Sequence, residues 1–324
     1  MKNLITITLA ATLVASGISS AQTPAYSKPS GYVTQALVQG FNPIGFTLQL
    51  PPITGGSLTT VSAGSVSDST KNFSTLLTVG ALYTLEITTG SLTTNGLVAE
   101  VGVWSGAQLT TPDNLLAAGV AVGATYQIRK VASLEEIFGT AGSVLSKSNA
   151  IGNADVVWVP NGNGTYTRFH QRSDGTWRNA TTGVFPANTA PLVFLDGVFI
   201  EKKTAGTVSL VTTGTVKTTP TITSMSNGFN FFATVYPVGS TLQNLGLEND
   251  LARANAVGNA DVVWVPDGLG GYIRYHLRSD GTWRNATTGV FPAPTVAITT
   301  SLFIERKGSA ATISLTPPSI YSGL

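Results

Sequence analysis

The stretch GNADVVWVP at residues 152–160 recurs unchanged at 258–266, and RSDGTWRNATTGVFPA at 172–187 recurs at 278–293. Both matches share one offset, since 261 − 155 = 106 for Asp155 and Asp261, and 283 − 177 = 106 for Trp177 and Trp283. After a two-residue deletion the match resumes, with Phe199-Ile200-Glu201-Lys202 against Phe303-Ile304-Glu305-Arg306. Solenoid repeats run to about 20–50 residues, so a period of 106 marks a duplicated domain.

Working outward, Gly40-Phe41-Asn42, an apolar stretch and Pro51 match Gly228-Phe229-Asn230 and Pro237. A helix-start signal at 240–245 follows Pro237 at once. Its counterpart at 133–139, with a Ser133-x-x-Glu136 capping box, comes much later in the first copy. Residues 56–121 therefore read as an insertion. The expected division is a leader over 1–21, a β domain over 28–216 with that insertion, and a β domain over 217–318. The last of these duplicates 122–216 and adds an upstream strand.

Composition sets the fold class. Charged residues are 10% and hydrophobic residues 42%, with 35 Gly and 16 Pro, a mixture suited to pleated strands and tight turns. Alternating or continuous apolar runs at 31–38, 46–50, 82–88, 97–104, 125–130, 156–159, 165–171 and 198–202 predict strands. The 156–159 run, apolar on both faces, predicts a fully buried strand. The expectation is all-β: tandem sandwich-like or barrel-like domains, each with one short helix.

The N-terminus reads as a secretory leader, with Lys2, an apolar core at 4–14 and the small residues Ser19-Ser20-Ala21. Export to the periplasm, cell surface or medium follows, with no transmembrane segment in the mature chain. Zero cysteines exclude a disulfide scaffold, thiol catalysis and cysteine metal sites. A net charge of +2 without any Lys/Arg run carries no nucleic-acid footprint.

Asp174-Gly175 and Asp280-Gly281 lie between alternating segments and predict two-residue hairpin turns. In the preceding strand of the second copy, Ile273, Tyr275 and Leu277 then face inward, and Tyr272, Arg274, His276 and Arg278 outward. The first copy gives Tyr166, Arg168, His170 and Arg172. Across the turns Trp177 should pair with Arg172, and Trp283 with Arg278, on the same outward face. Such a ledge suits sugar stacking. The reading favoured over it is a solvated face where Trp177 lies beneath the Arg172 guanidinium, followed by a subunit contact.

Other chemistry is thin. His170 and His276 lack metal-ligand spacing and read as surface strand residues. Glu135-Glu136, the adjacent acid pair, sits in the first turn of a predicted helix, where the dipole favours negative charge. Asp155 and Asp261 read as bonding neighbouring N–H groups in a turn. The loops Asn161-Gly162-Asn163-Gly164 and 267–270 hold too few acids for calcium. Nucleophile elbows, phosphate loops and dinucleotide fingerprints are absent from the sequence, so neither cofactor nor metal is expected.

The succession Ile128-Arg129-Lys130, Leu134-x-x-Ile137-Phe138-Gly139, Asn153-Ala154-Asp155, Trp158, Tyr166 and Trp177-Arg178-Asn179 resembles a family of exported β-rich proteins of Verrucomicrobia and related bacteria. The second copy fits too, with Tyr236-Pro237, Asn259-Ala260-Asp261 and Trp283-Arg284-Asn285. The resemblance implies export and a β-rich fold, and no activity. The expected role is a non-enzymatic structural component of the cell surface or extracellular matrix. Self-association into fibres or sheets would run through strands added by the termini at 22–30 and 316–324. The alternative is a polysaccharide-binding surface protein using the tryptophan faces.

Overall fold

In the first copy, Val156–Pro160 lies between Tyr166–Gln171 and Gly197–Lys202. Trp177–Asn179 and Gly40–Gly45 close the two edges of this five-stranded antiparallel sheet. In the second copy, Val262–Pro266 lies between Tyr272–Leu277 and Ser301–Arg306, with Trp283–Asn285 and Gly228–Ala233 at the edges. The registers repeat: Val156 faces His170 and Trp158 faces Arg168, as Val262 faces His276 and Trp264 faces Arg274. The computed structural model describes residues 29–140, 143–162 and 164–324, so the predicted leader and most of the 22–30 arm lie outside them.

The protein is nearly all β, with 41% of residues in strands against 7% in helices. The pleat explains how each sheet packs. Val157, Phe169 and Ile200 share the back face of the first sheet, as Val263, Tyr275 and Ile304 share that of the second, and all six are buried. A second layer covers each back. Ser30–Leu37, Val208–Val216 and Leu48–Gln49 form it in the first module, contributing Leu37 and Leu210 to the core. Thr221–Met225 and Ala311–Leu315 form it in the second, contributing Met225, Ile313 and Leu315. Burying each such side chain stabilises the fold by about 1.5–3 kcal/mol.

Residues 58–128 build a core of their own, joined by Ile222. Pro52–Ser57, Thr125–Lys130, Tyr83–Ile87 and Val98–Val101 form one sheet there, and Thr60–Val61, Ser65–Ser67, Gln108–Thr110 and Val103–Ser105 another. Leu97 bridges to Ile222, tying this unit to the second module. No helix among the described residues is long and apolar enough to cross a membrane.

The capping box at Ser133 forms, with Glu136 N–H donating to Ser133 Oγ (3.3 Å) and Ser133 N–H to Glu136 Oε2 (2.9 Å), and opens the helix Leu134–Phe138. The helix expected in the second module does not form. Thr241 and Asn244 exchange the same pair of bonds, at 2.7 and 3.2 Å. Gly246, at φ +78°, then ends the turn after a single Leu245 N–H to Thr241 C=O bond. The C-terminal arm is not free to extend a neighbour's sheet either. The Tyr321 hydroxyl donates to Val238 C=O (3.0 Å) and accepts from Val238 N–H (2.9 Å), which pins the arm to its own module.

The two modules meet reciprocally. Phe199 stacks on its counterpart Phe303 (5.8 Å between centroids), and Gly45 meets its counterpart Ala233. Contact of like with like is what a two-fold relation between the modules produces. Gly45 and Gly197 permit the approach. A Cβ on Gly45 would fall 1.9 Å from Thr300 O, and one on Gly197 would fall 2.4 Å from the Phe231 ring. Thr300 Oγ1 completes the seam, donating to Gln35 Oε1 (2.7 Å) and accepting from Gly45 N–H (3.3 Å).

Candidate functional site

The structure breaks the predicted tryptophan ledge. Arg172 N–H donates to Thr176 C=O (2.8 Å) and Gly175, at φ +87°, donates to Arg172 C=O (2.9 Å). The loop is therefore three residues, Ser173-Asp174-Gly175, with glycine in the left-handed position. Trp177 consequently pairs with Gln171 rather than Arg172, and Trp283 with Leu277. A one-residue slip moves a side chain to the other face. Trp177 is fully buried against Phe138, its indole N–H donating to Gly139 C=O (3.1 Å), and Trp283 is 6% exposed.

The rest of the predicted row does lie on the front face, with other partners. Arg168 and Arg274 sit over Trp158 and Trp264, each 5.4 Å from the ring centroid. Arg172 lies over Phe185 (4.6 Å) and Arg278 over Phe291 (4.1 Å), each also pairing with the turn aspartate at 3.2 Å. His170 and His276, expected at the surface, are 2% exposed. The loops carrying Asn149 and Asn255 lie against them, held by Ser148 N–H to Gln171 C=O (3.0 Å) and Ala254 N–H to Leu277 C=O (3.1 Å). Burial foremost, with the neighbouring Arg172 and Arg178 or Arg278 and Arg284, pushes both imidazoles down, so they are neutral at pH 7.

Asp155 and Asp261 do more than shape a local turn. Asp155 accepts from Ser146 N–H (2.8 Å) and Lys203 N–H (2.7 Å), nine and 48 residues away. Asp261 accepts likewise from Ala252 and Lys307 (2.8 Å each), and also from Arg306 (2.5 Å). Glu136 is held by its cap and by Lys130 (2.7 Å).

Trp158, predicted within a fully buried strand, is half-buried and belongs to an aromatic band. Phe41 packs edge-on against Trp158 (5.6 Å), Trp158 against Tyr166 (6.4 Å), and Tyr166 against Phe199 (5.9 Å). Phe199, Phe231 and Phe303 stack across the module junction at 4.8 and 4.1 Å. Tyr272, Trp264 and Phe229 continue it at 5.5, 6.5 and 5.6 Å. The ends are open, with Phe41 50% and Phe229 63% exposed.

This band borders a cleft of about 1060 Å³ where both modules and the inserted unit converge. Tyr166, Phe229, Phe231 and Phe303 line it, together with Glu100 and Asp113 from the inserted unit and Asp196 from the segment entering Gly197–Lys202. Among its described lining residues there is no Lys, Arg or His. Burial raises the Asp113 carboxyl, burial and then Asp113 raise Glu100, and burial and then Glu100 push Asp196 up to about 7. These carboxylates do not form a group that could hold a metal ion.

None of these acids was visible as a site residue in the sequence. They lie at 100, 113 and 196 with no shared motif, and only the inserted unit's docking on both modules brings them together. Phe229 stood out in the sequence only through the match of Gly228-Phe229-Asn230 to Gly40-Phe41-Asn42, which marks the repeat and not a site. Comparison with family models, with curated proteins and with solved structures finds no match.

Proposed function

We propose that the protein is an exported component of the cell surface or matrix that binds a polysaccharide in this cleft and is not an enzyme. The observation that carries the reading is the convergence of the aromatic band with polar and acidic side chains in one large open cavity. Ligand pockets usually enclose about 300–1,000 Å³, so about 1060 Å³ has room for several sugar rings. Aromatic faces stack on the apolar faces of such rings, and carboxylate oxygens accept their hydroxyl protons.

Retention of the protein on gels containing single polysaccharides tests the reading. Phe229→Ala with Tyr166→Ala should abolish retention and leave the melting curve nearly unchanged, while Phe185→Ala, outside the cleft, should retain it. Retention that survives the double substitution overturns the cleft as the site. Release of reducing ends from the retained polymer overturns the binding-only reading.

A second reading, self-association, has its own support. Ser30–Leu37 (SGYVTQAL) is an edge strand of eight residues without a charged side chain, paired only with Val208–Val216, and Tyr32 on it is 74% exposed. Long uncharged edges invite pairing with a further strand. Thr34→Pro should then remove any filaments seen by negative stain at high concentration. Monodisperse particles of the unaltered protein under those conditions contradict this reading.

A further inference from the structure

We propose that the ligand of the cleft is a positively charged glycan, a polymer of amino sugars with free amino groups. Its ammonium groups would meet Glu100, Asp113 and Asp196, and its ring faces the aromatic band. This rests on the cleft being a polysaccharide site and names the class of polysaccharide.

The first support is a contrast within the molecule. The fully buried carboxylates elsewhere are tied down: Glu86 by Lys217, Thr219 and Gln127, Asp68 by Thr70 and Tyr126, Asp155 and Asp261 by backbone N–H groups. Half-buried Asp196 differs: no hydrogen bond or ion pair offsets the burial that raises it, and the exposed Glu100 beside it, itself next to the exposed Asp113, adds like charge. Desolvating a carboxylate without a partner is costly, and a bound cation offsets that cost.

The second support is the aromatic wall, which is independent of the acids. An ammonium group is drawn to the face of an aromatic ring as well as to a carboxylate, so both kinds of wall select the same charge. The formal charge of the described lining is negative in a chain whose net charge is +2, so the acids are concentrated there against the overall balance. The remaining lining favours a sugar over a basic peptide. The hydroxyls of Thr223, Ser224 and Thr312 line the same cleft and suit sugar hydroxyls as donors and acceptors.

Calorimetric titration with a β-1,4-glucosamine hexamer, its fully N-acetylated form and a glucose hexamer tests the proposal. The glucosamine hexamer should bind at least about tenfold more tightly than either neutral hexamer. Its binding at pH 7 should release protons, read from two buffers of different ionisation enthalpy, because a cation restores the ionised form of Asp196. Glu100→Gln with Asp113→Asn and Asp196→Asn should erase both the preference and the proton release. Phe229→Ala should weaken all three hexamers, the glucosamine hexamer most. Equal affinity for charged and neutral hexamers overturns the charge class and leaves the polysaccharide reading standing. Oligolysine binding as tightly as the glucosamine hexamer overturns the sugar. Failure of every hexamer to bind overturns both readings.

Discussion

The two modules share a sheet and differ at its margins. Residues identical between the copies, such as Val156-Val157-Trp158-Val159 and Val262-Val263-Trp264-Val265, form the central strands with the same register. The residues that differ gather at the junction and the cleft. Asp196 stands where the second module has Thr300, Gly45 where it has Ala233, and Gly197 where it has Ser301, while Glu100 and Asp113 belong to the inserted unit that only the first module carries. Shared residues form the framework and the aromatic side of the cleft, where Tyr166, Phe229 and Phe303 repeat as Tyr272, Phe41 and Phe199, and unshared residues supply its acids. Identity between copies is thus a guide to the framework and no guide to the cleft's acids.

The framework half of this comparison predicts equal and large effects. Trp177→Ala and Trp283→Ala should each destabilise their module by about 3–5 kcal/mol in urea denaturation, because each empties a core position. A near-normal midpoint for either would break the equivalence. The paired aspartates should split by a smaller amount. Asp155→Ala should cost about 2–3 kcal/mol, through two backbone N–H groups left without their acceptor. Asp261→Ala should cost roughly 1 kcal/mol more, because it also strands Arg306, only 13% exposed. Arg306→Met should bring the two substitutions level.

The effects of pH are smaller and separate the cleft from the framework. Asp196 binds its proton more tightly folded than unfolded, so its stabilisation is present at acid pH and is lost as pH rises through about 7. Asp196→Asn should therefore be more stable than the unaltered protein at pH 8, by roughly 2 kcal/mol, with little difference at pH 4. The histidines act in the opposite direction. Their folded pKa values are depressed, so stability is full above the unfolded value of about 6.5 and declines as pH falls below it. Each of His170→Gln and His276→Gln should flatten that decline between pH 7 and pH 5, read as a smaller shift of the urea midpoint over that range.

Much of the framework was legible in the sequence because alternation and turn residues are local signals. The strand at 165–171, the capping box at Ser133 and the outward facing of Tyr166 and Arg168 all follow from period-two spacing or a short motif. The tryptophans were misplaced because Asp-Gly fits two hairpin geometries that differ by one residue, and that residue decides which face Trp177 occupies. The histidines were misplaced because a pleat gives a side chain's direction and not what folds over it; loops carrying Asn149 and Asn255 do so here. The helix at 240–245 failed on Gly246, whose left-handed conformation cuts off the second turn. The cleft was illegible for a different reason. Its acids are brought together by packing of the inserted unit against both modules, and no spacing along the chain encodes that contact.

The account rests on binding at the cleft rather than on the repeated faces, and hydrogen exchange with and without a retained polysaccharide tests it most directly. The expected result is slowed exchange of the amides at 98–101, 193–197 and 226–231, with 184–187 and 290–293 unchanged. Protection of equal size at the equivalent stretches 166–172 and 272–278, with none at 98–101 or 193–197, would contradict it.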